Sequence, residues 1–291
     1  MTARLLSPLV LFALATAAPG QTPQAATPPR FEVASVRPSP PSDTPTAGVG
    51  VRITRAQVGI RSLTMEDLLS FAFSVSGKQI AGPDWIQEAR FDVTATIPAG
   101  VSQDEVPAML QDLLRERFHL RIRREPREFP VYALTLARNG RRLTPSPLKE
   151  LEPETIEVTG SGGNDGVTMD LGGGSSFALL DSAITAKHIT LTSFAETLTR
   201  FLDRTVIDAT GVTGSYDITV RLTREEFDAT LLRSAVNAGI RLPPQILRTL
   251  DAGPANPVGP ALEAAGLAFD SRRAPLDVIV VESMLRTPTD N

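Results

Sequence analysis

Ile60-Arg61-Ser62-Leu63-Thr64-Met65 and His188-Ile189-Thr190-Leu191-Thr192-Ser193 open two stretches that carry one pattern twice. In residues 60–96 the opening leads into apolar residues at helical spacing, then Gly82-Pro83, then Phe91-Asp92-Val93-Thr94-Ala95. In residues 188–222 it leads into a second apolar helical stretch, then Gly211, then Tyr216-Asp217-Ile218-Thr219-Val220. A further short helix pattern, a turn and a closing apolar strand follow each block. The pattern predicts an α+β fold of two related units. Each reads β-β-α-β-β-α-β-β, with two amphipathic helices on one face of a small mixed sheet.

Working outward, Phe31 to Val36 alternates as a half-buried strand does, and Pro38 and Pro40-Pro41 stop it. Val51–Thr54 and Val58–Ile60 suit a hairpin. Thr64 with Asp67 and Ser102 with Glu105 have capping-box spacing, and Thr192 is the expected N-cap in the second unit. Residues 90–97 alternate cleanly as a strand. Phe118–Arg123 with Val131–Ala137, and Leu267–Phe269 with Leu276–Val281, are expected as closing strands of their own units. Residues 31–140 form the first unit and 176–291 the second. Residues 141–175, with Pro145, Pro147, Pro153 and a run of glycines, read as a linker. Residues 223–256 read as a helical insertion into the second unit.

The chain has 291 residues, 42% of them hydrophobic, so two packed cores are within reach. A net charge of −4 argues against nucleic acid as a partner. Lys78, Lys149 and Lys187 are the only lysines among 29 basic residues, which reads as a GC-rich coding bias rather than a binding surface. Arg4 precedes a largely apolar run from Leu5 to Ala18, followed by small residues, and this predicts a secretory signal peptide over residues 1–20 with a flexible leader over 21–30. The mature protein is therefore expected outside the cytoplasm, periplasmic or secreted. No later stretch is long and apolar enough to span a bilayer. There is no cysteine, which excludes disulfides, cysteine nucleophiles and thiolate metal sites.

No constellation of residues predicts a reaction. His119 and His188 are the only histidines, occupy unmatched positions and lack neighbouring ligands, so both read as structural. Asp92 and Asp217 do match. As a pair they would suit carboxylate chemistry only if they faced each other. Each follows an aromatic at a strand start, so the period of two turns the aspartates away from the core. Asp208-Ala209-Thr210-Gly211 lacks the second copy that aspartic-protease chemistry needs. The glycines of 160–174 lack a phosphate-loop lysine. Arg115, Arg117, Arg121, Arg123, Arg124 and Arg127 alternate with glutamates as a solvated face does. Trp85 reads as a core anchor. No residue is assigned a catalytic, cofactor-binding or metal-binding role, and no cofactor is expected.

Phe31-Glu32-Val33-Ala34-Ser35-Val36-Arg37-Pro38-Ser39, Gln79-Ile80-Ala81-Gly82-Pro83-Asp84-Trp85, Phe129-Pro130-Val131-Tyr132-Ala133-Leu134 and Asp208 to Asp217 together resemble a soil-associated family of secreted proteins. That family is expanded in acidobacteria and its function is unknown. Related domains occur on membrane metallopeptidases of the antibiotic-sensor type, but this chain lacks their zinc motif. Residues 223–256 look longer than is usual for the family. Each unit is also similar to the short N-terminal domain of secretins and TonB-dependent transducers, most closely over Leu191–Val220 and Gly266–Val281. The resemblance implies a binding module with an envelope or extracellular protein as partner. A secreted hydrolase with a site assembled between the units is the alternative.

Overall fold

The structure, a computed structural model, describes residues 29–40, 50–138, 143–147, 155–159, 161–163, 166–237, 242–253 and 256–289. The expected signal peptide and most of the leader lie outside the described residues. The fold is α+β, with three sheets and two hydrophobic cores.

The first lobe begins with β1 (Val33–Pro38), β2 (Gly50–Thr54), β3 (Gln57–Thr64) and α1 (Met65–Phe73). Then come β4 (Ile80–Ala81), β5 (Arg90–Thr96) and α2 (Val106–Phe118). Thr64 and Asp67 form the expected capping box on α1. Ser102 instead caps a single 3-10 turn that leads into α2. Met65, Leu68, Leu69, Met109, Leu110 and Leu114 bury the facing stripes of α1 and α2 against β3 and β5.

After β6 (Arg121–Leu136), the segment expected as a linker is built largely into sheets. It holds β7 (Thr144–Pro145), β8 (Thr155–Thr159), β9 (Ser161–Gly163) and β10 (Gly166–Gly172), which leads into β11 (Ser175–Leu180). Short edge strands tolerate proline, as at Pro145. Gly172, Gly173 and Gly174 all have φ between +60° and +81°, so they make the β10–β11 hairpin turn rather than a flexible tether. β8 extends the first sheet beside β2, whose order is β1-β5-β3-β2-β8.

The second lobe continues with β12 (Ala183–Thr190), α3 (Leu191–Thr199), β13 (Thr205–Asp208), β14 (Ser215–Arg221), α4 (Arg224–Asn237), α5 (Pro244–Ala252) and α6 (Gly259–Ala264), and ends in β15 (Leu267–Ser283). The helices α4 and α5 occupy the stretch that reads as helical in the sequence. Thr190, not Thr192, caps α3 and accepts from Ser193 N–H at 3.1 Å. Thr192 lies inside the helix, and its hydroxyl bonds Asp208 instead.

The lobes match in register. Pro38 lies opposite Phe91 and Leu63 opposite Phe91; in the same way Pro145 and Ile189 both lie opposite Tyr216. Ser39 N–H donates to the Arg90 carbonyl and Ser146 N–H to the Ser215 carbonyl, both at 2.9 Å. Pro38-Ser39-Pro40 and Pro145-Ser146-Pro147 are thus the same turn.

The closing strands differ most from expectation. Residues 121–136 are one unbroken strand, as are residues 267–283, and the two run antiparallel along nearly their whole length. β13 joins the far half of β6 and β4 the far half of β15, giving the order β13-β6-β15-β4. The pairing is symmetric about Glu128, opposite Pro275. Ile122 packs in the first core, whereas Tyr132 and Leu134, further along β6, pack in the second. Conversely, Leu267 lies in the second core and Ile279 in the first. Each lobe therefore completes its core with the other's strand, and the boundaries at 140 and 176 do not separate the cores.

β6 contains Pro126 and Pro130, although a proline interrupts a ladder wherever an N–H would have to donate. Here they and Pro275 lie opposite Asp277, Arg273 and Glu128, at alternate pairs of one parity. At that parity the backbone groups point away from the partner strand, so a missing N–H costs no ladder bond. The Asp277 carbonyl accepts from Gln79 Nε2 at 2.9 Å, and the Glu128 carbonyl from Arg273 at 2.9 Å, as outward carbonyls must.

Candidate functional site

The matched aspartates serve the fold. Asp92 Oδ1 accepts from Ser62 N–H at 2.8 Å and from Ser39 Oγ at 2.6 Å. Asp217 Oδ1 accepts from His188 N–H at 3.0 Å, and its carboxylate also bonds the Ser146 hydroxyl. Ser62 and His188 have φ of 52° and 47°, and both sit where the register shifts, in β3 against β5 and in β12 against β14. Each aspartate thus holds the N–H of a left-handed bulge residue just before a helix cap. The bond from His188 is the main cause that holds Asp217 below the usual carboxylate range, and Lys187, at 3.7 Å, adds to it. The two carboxylates lie in different sheets, so the structure does not pair them.

The other sequence candidates are placed as follows. His119 is the exposed, left-handed C-cap of α2; after α6 the cap is Ala265 and the left-handed residue is the next one, Gly266. His188 is buried, and its Nδ1 has no hydrogen-bond partner among the described residues. No group of three or more His, Asp or Glu residues that could hold a metal occurs among the described residues. Burial would raise the Asp208 pKa, but bonds from Thr210 and Thr192 hold it low. These bonds tie β13 to α3. Trp85 is half-buried against the first core. Arg123 and Arg127 pair with Glu125, and Arg124 lies 3.8 Å from Asp277, so the arginine-rich strand is a mixed-charge, solvated ribbon.

A cluster that the sequence reading missed lies where the lobes meet, around the loop from Arg200 to Arg204 that joins α3 to β13. Lys78, just ahead of β4, crosses from the first lobe and donates from Nζ to the Leu202 carbonyl at 2.7 Å. Asn237, at the end of α4, donates to the same carbonyl and to that of Arg200, both at 2.9 Å. The Tyr132 hydroxyl donates to Asp203 at 3.0 Å, and Arg204 lies 3.5 Å from the other oxygen of Asp203. The Tyr132 ring stacks on Phe269 and lies under the Arg204 guanidinium, 5.1 Å from its centroid.

Burial lowers the Lys78 pKa to about 8; Asp203 opposes the shift and the Arg233 charge on α4 adds to it. Tyr132 is pushed up to about 12 by burial and then by Asp203, against the pull of Arg204 and Arg233. Burial also raises Glu66 on α1 and Glu196 on α3. The one available signal was composition, since Lys78 is a rare lysine in an arginine-rich chain. Its burial depends on a loop more than a hundred residues away.

The arrangement can hold charge and form hydrogen bonds. No helix among the described residues is long and apolar enough to cross a membrane. A family profile described as Protein of unknown function (DUF3738) matches residues 66–284. No curated protein and no solved structure matches the chain. With both helices of the first lobe, the exchanged strands and the junction all inside the matched span, the chain belongs to this family of proteins of unknown function.

Proposed function

We propose that this chain is an extracytoplasmic, non-enzymatic binding protein, built from two copies of one unit, whose contact surface is the junction between them. The observation that carries the reading is Lys78, an ammonium half-buried against a backbone carbonyl with no carboxylate in ion-pair contact among the described residues. Such a group costs stability, and natural folds keep costs of this kind where function needs them. The surrounding residues are those in which the lobes differ, above all the α4 insertion. The N-terminal signal pattern and the lack of cysteine support export. The likeness of each unit to the secretin and TonB short N-terminal domain, and the resemblance to the soil-associated secreted family, support a protein partner in the envelope. The hydrolase alternative loses its best pair, because Asp92 and Asp217 are each engaged in their own lobe.

The test places a photo-cross-linking residue at half-buried Val236, beside the clamping Asn237, and, as a control, at exposed Val33, in the mature chain mixed with envelope extract. A saturable cross-link at residue 236 but not at residue 33 supports the reading. Equal labelling at both, or a hydrolytic activity abolished by changes at the junction, overturns it.

A further inference from the structure

We propose that the lobe junction is an oxyanion site, in which Lys78 and Arg233 together take a carboxylate or phosphate group of the ligand. This rests on the junction being the contact surface and specifies its chemistry. The charge inventory is unbalanced. Lys78, Arg204 and Arg233 bring three cations to the loop, whereas Asp203 is its one carboxylate among the groups that act on Lys78. Asp203 is already engaged, by the Tyr132 hydroxyl through one oxygen and by Arg204 at 3.5 Å from the other. Lys78 uses one of its three protons on the Leu202 carbonyl. Arg233 makes no hydrogen bond or ion pair among the described residues, so all five of its N–H donors are available.

Asn237 fixes this geometry. Its two bonds clamp the end of α4 to residues 200 and 202, and Arg233 lies one turn earlier on the same helix face. Arg233 is therefore presented to the loop that Lys78 grips, and each charge disfavours the other. An oxyanion between them would accept from the arginine fork and the ammonium at once, and would turn their repulsion into attraction. Both side chains are half-buried, so water screens the interaction less than at an open surface.

The experiment uses the mature chain, with binding followed by calorimetry and by thermal unfolding. The probes are inorganic phosphate and succinate, each against sodium chloride at equal ionic strength. Saturable binding of either probe beyond chloride is expected, and the arm that binds identifies the headgroup. Arg233→Gln is expected to weaken it about tenfold, the loss of one charge-assisted bond. Lys78→Gln should do the same and Lys78→Arg should retain part of it. Binding by the wild type should fall as the pH rises through about 8, where Lys78 loses its charge. The groups that face it are Asp203, Arg204, Arg233 and Tyr132, of which Tyr132 titrates far higher, near 12. Arg233 lies on the helix surface, so its variant keeps the test valid even if Lys78→Gln unfolds. Protection by chloride equal to that by both probes, or wild-type affinity in Arg233→Gln, overturns the proposal. If that happens while the cross-link at residue 236 persists, the interface reading stands without its anion; if both fail, both fall.

Discussion

The Asp92 carboxylate accepts a hydrogen bond from the backbone N–H of Ser62 at 2.8 Å, and Ser62 is held there in the left-handed region. A buried or half-buried N–H at a bulge has no ladder partner, so the carboxylate satisfies a donor that the bulge leaves over. Asp92→Ala and Asp217→Ala are each expected to destabilise by about 1–3 kcal/mol, as the loss of a charge-assisted bond to backbone does. Urea midpoints measure both. A variant as stable as the wild type would show that the bulge needs no holder.

The acid limb of stability should carry the mark of Asp217. Its pKa is lowered on folding, so its contribution is present above the unfolded value of 3.8 and is lost as the pH falls through the lower folded value. Asp217→Asn should therefore flatten the stability profile below about pH 4 and leave its slope near neutrality unchanged. Unfolding free energies between pH 2 and pH 7 are the readout.

Lys78 acts with the opposite protonation state. Its folded pKa, about 8, lies below the ordinary lysine value of 10.5, so folding favours the neutral amine. The associated stability is fully present above 10.5 and is lost as the pH falls through 8. Lys78→Met is expected to equal or exceed the wild type by about 1 kcal/mol at pH 7, because Asn237 still serves the Leu202 carbonyl. The gap should narrow or reverse by pH 9.5. A midpoint well below the wild type at pH 7 would mean that the ammonium bond stabilises more than its burial costs.

The exchanged strands predict a single unfolding transition. Trp85 reports on the first core, and Phe177 is a buried member of the second. Phe177→Ala should remove about 3–5 kcal/mol from the second core and move the Trp85 fluorescence transition to lower urea along with it. A Trp85 transition unmoved by that change would make the lobes thermodynamically separate.

The ribbon prolines guard an open edge. Beyond the short stretches covered by β13 and β4, the outer edges of β6 and β15 have no neighbouring strand among the described residues. Pro126→Val together with Pro275→Val restores two outward N–H groups to those edges. Light scattering at rising protein concentration should show association in this variant and none in the wild type.

Much of the local structure was legible because its causes are local. Thr64 with Asp67, the alternation of residues 90–97 and the stripes of α1, α2 and α3 depend on neighbours within a few residues. The single strand at 121–136 was not legible, because proline and mixed charge read the same in a turn as on an exposed ribbon, and its partner is far along the chain. The glycines at 172–174 looked like a tether because composition does not show that each adopts positive φ. The second Pro-Ser-Pro was present in the sequence but lay inside the stretch taken as a linker. The matched aspartates were read as turned from the core, and the bulge N–H groups of Ser62 and His188 that they hold could not be foreseen. Lys78 was visible only as a rare residue, since its environment is assembled from both lobes.

The exchanged ribbon also governs how this chain can change over generations. Ile279 completes the core of the first half and Leu134 that of the second, so neither half can be replaced, shuffled or shortened without the other. Surface loops can change in one half alone, but a substitution in either long strand bears on both cores.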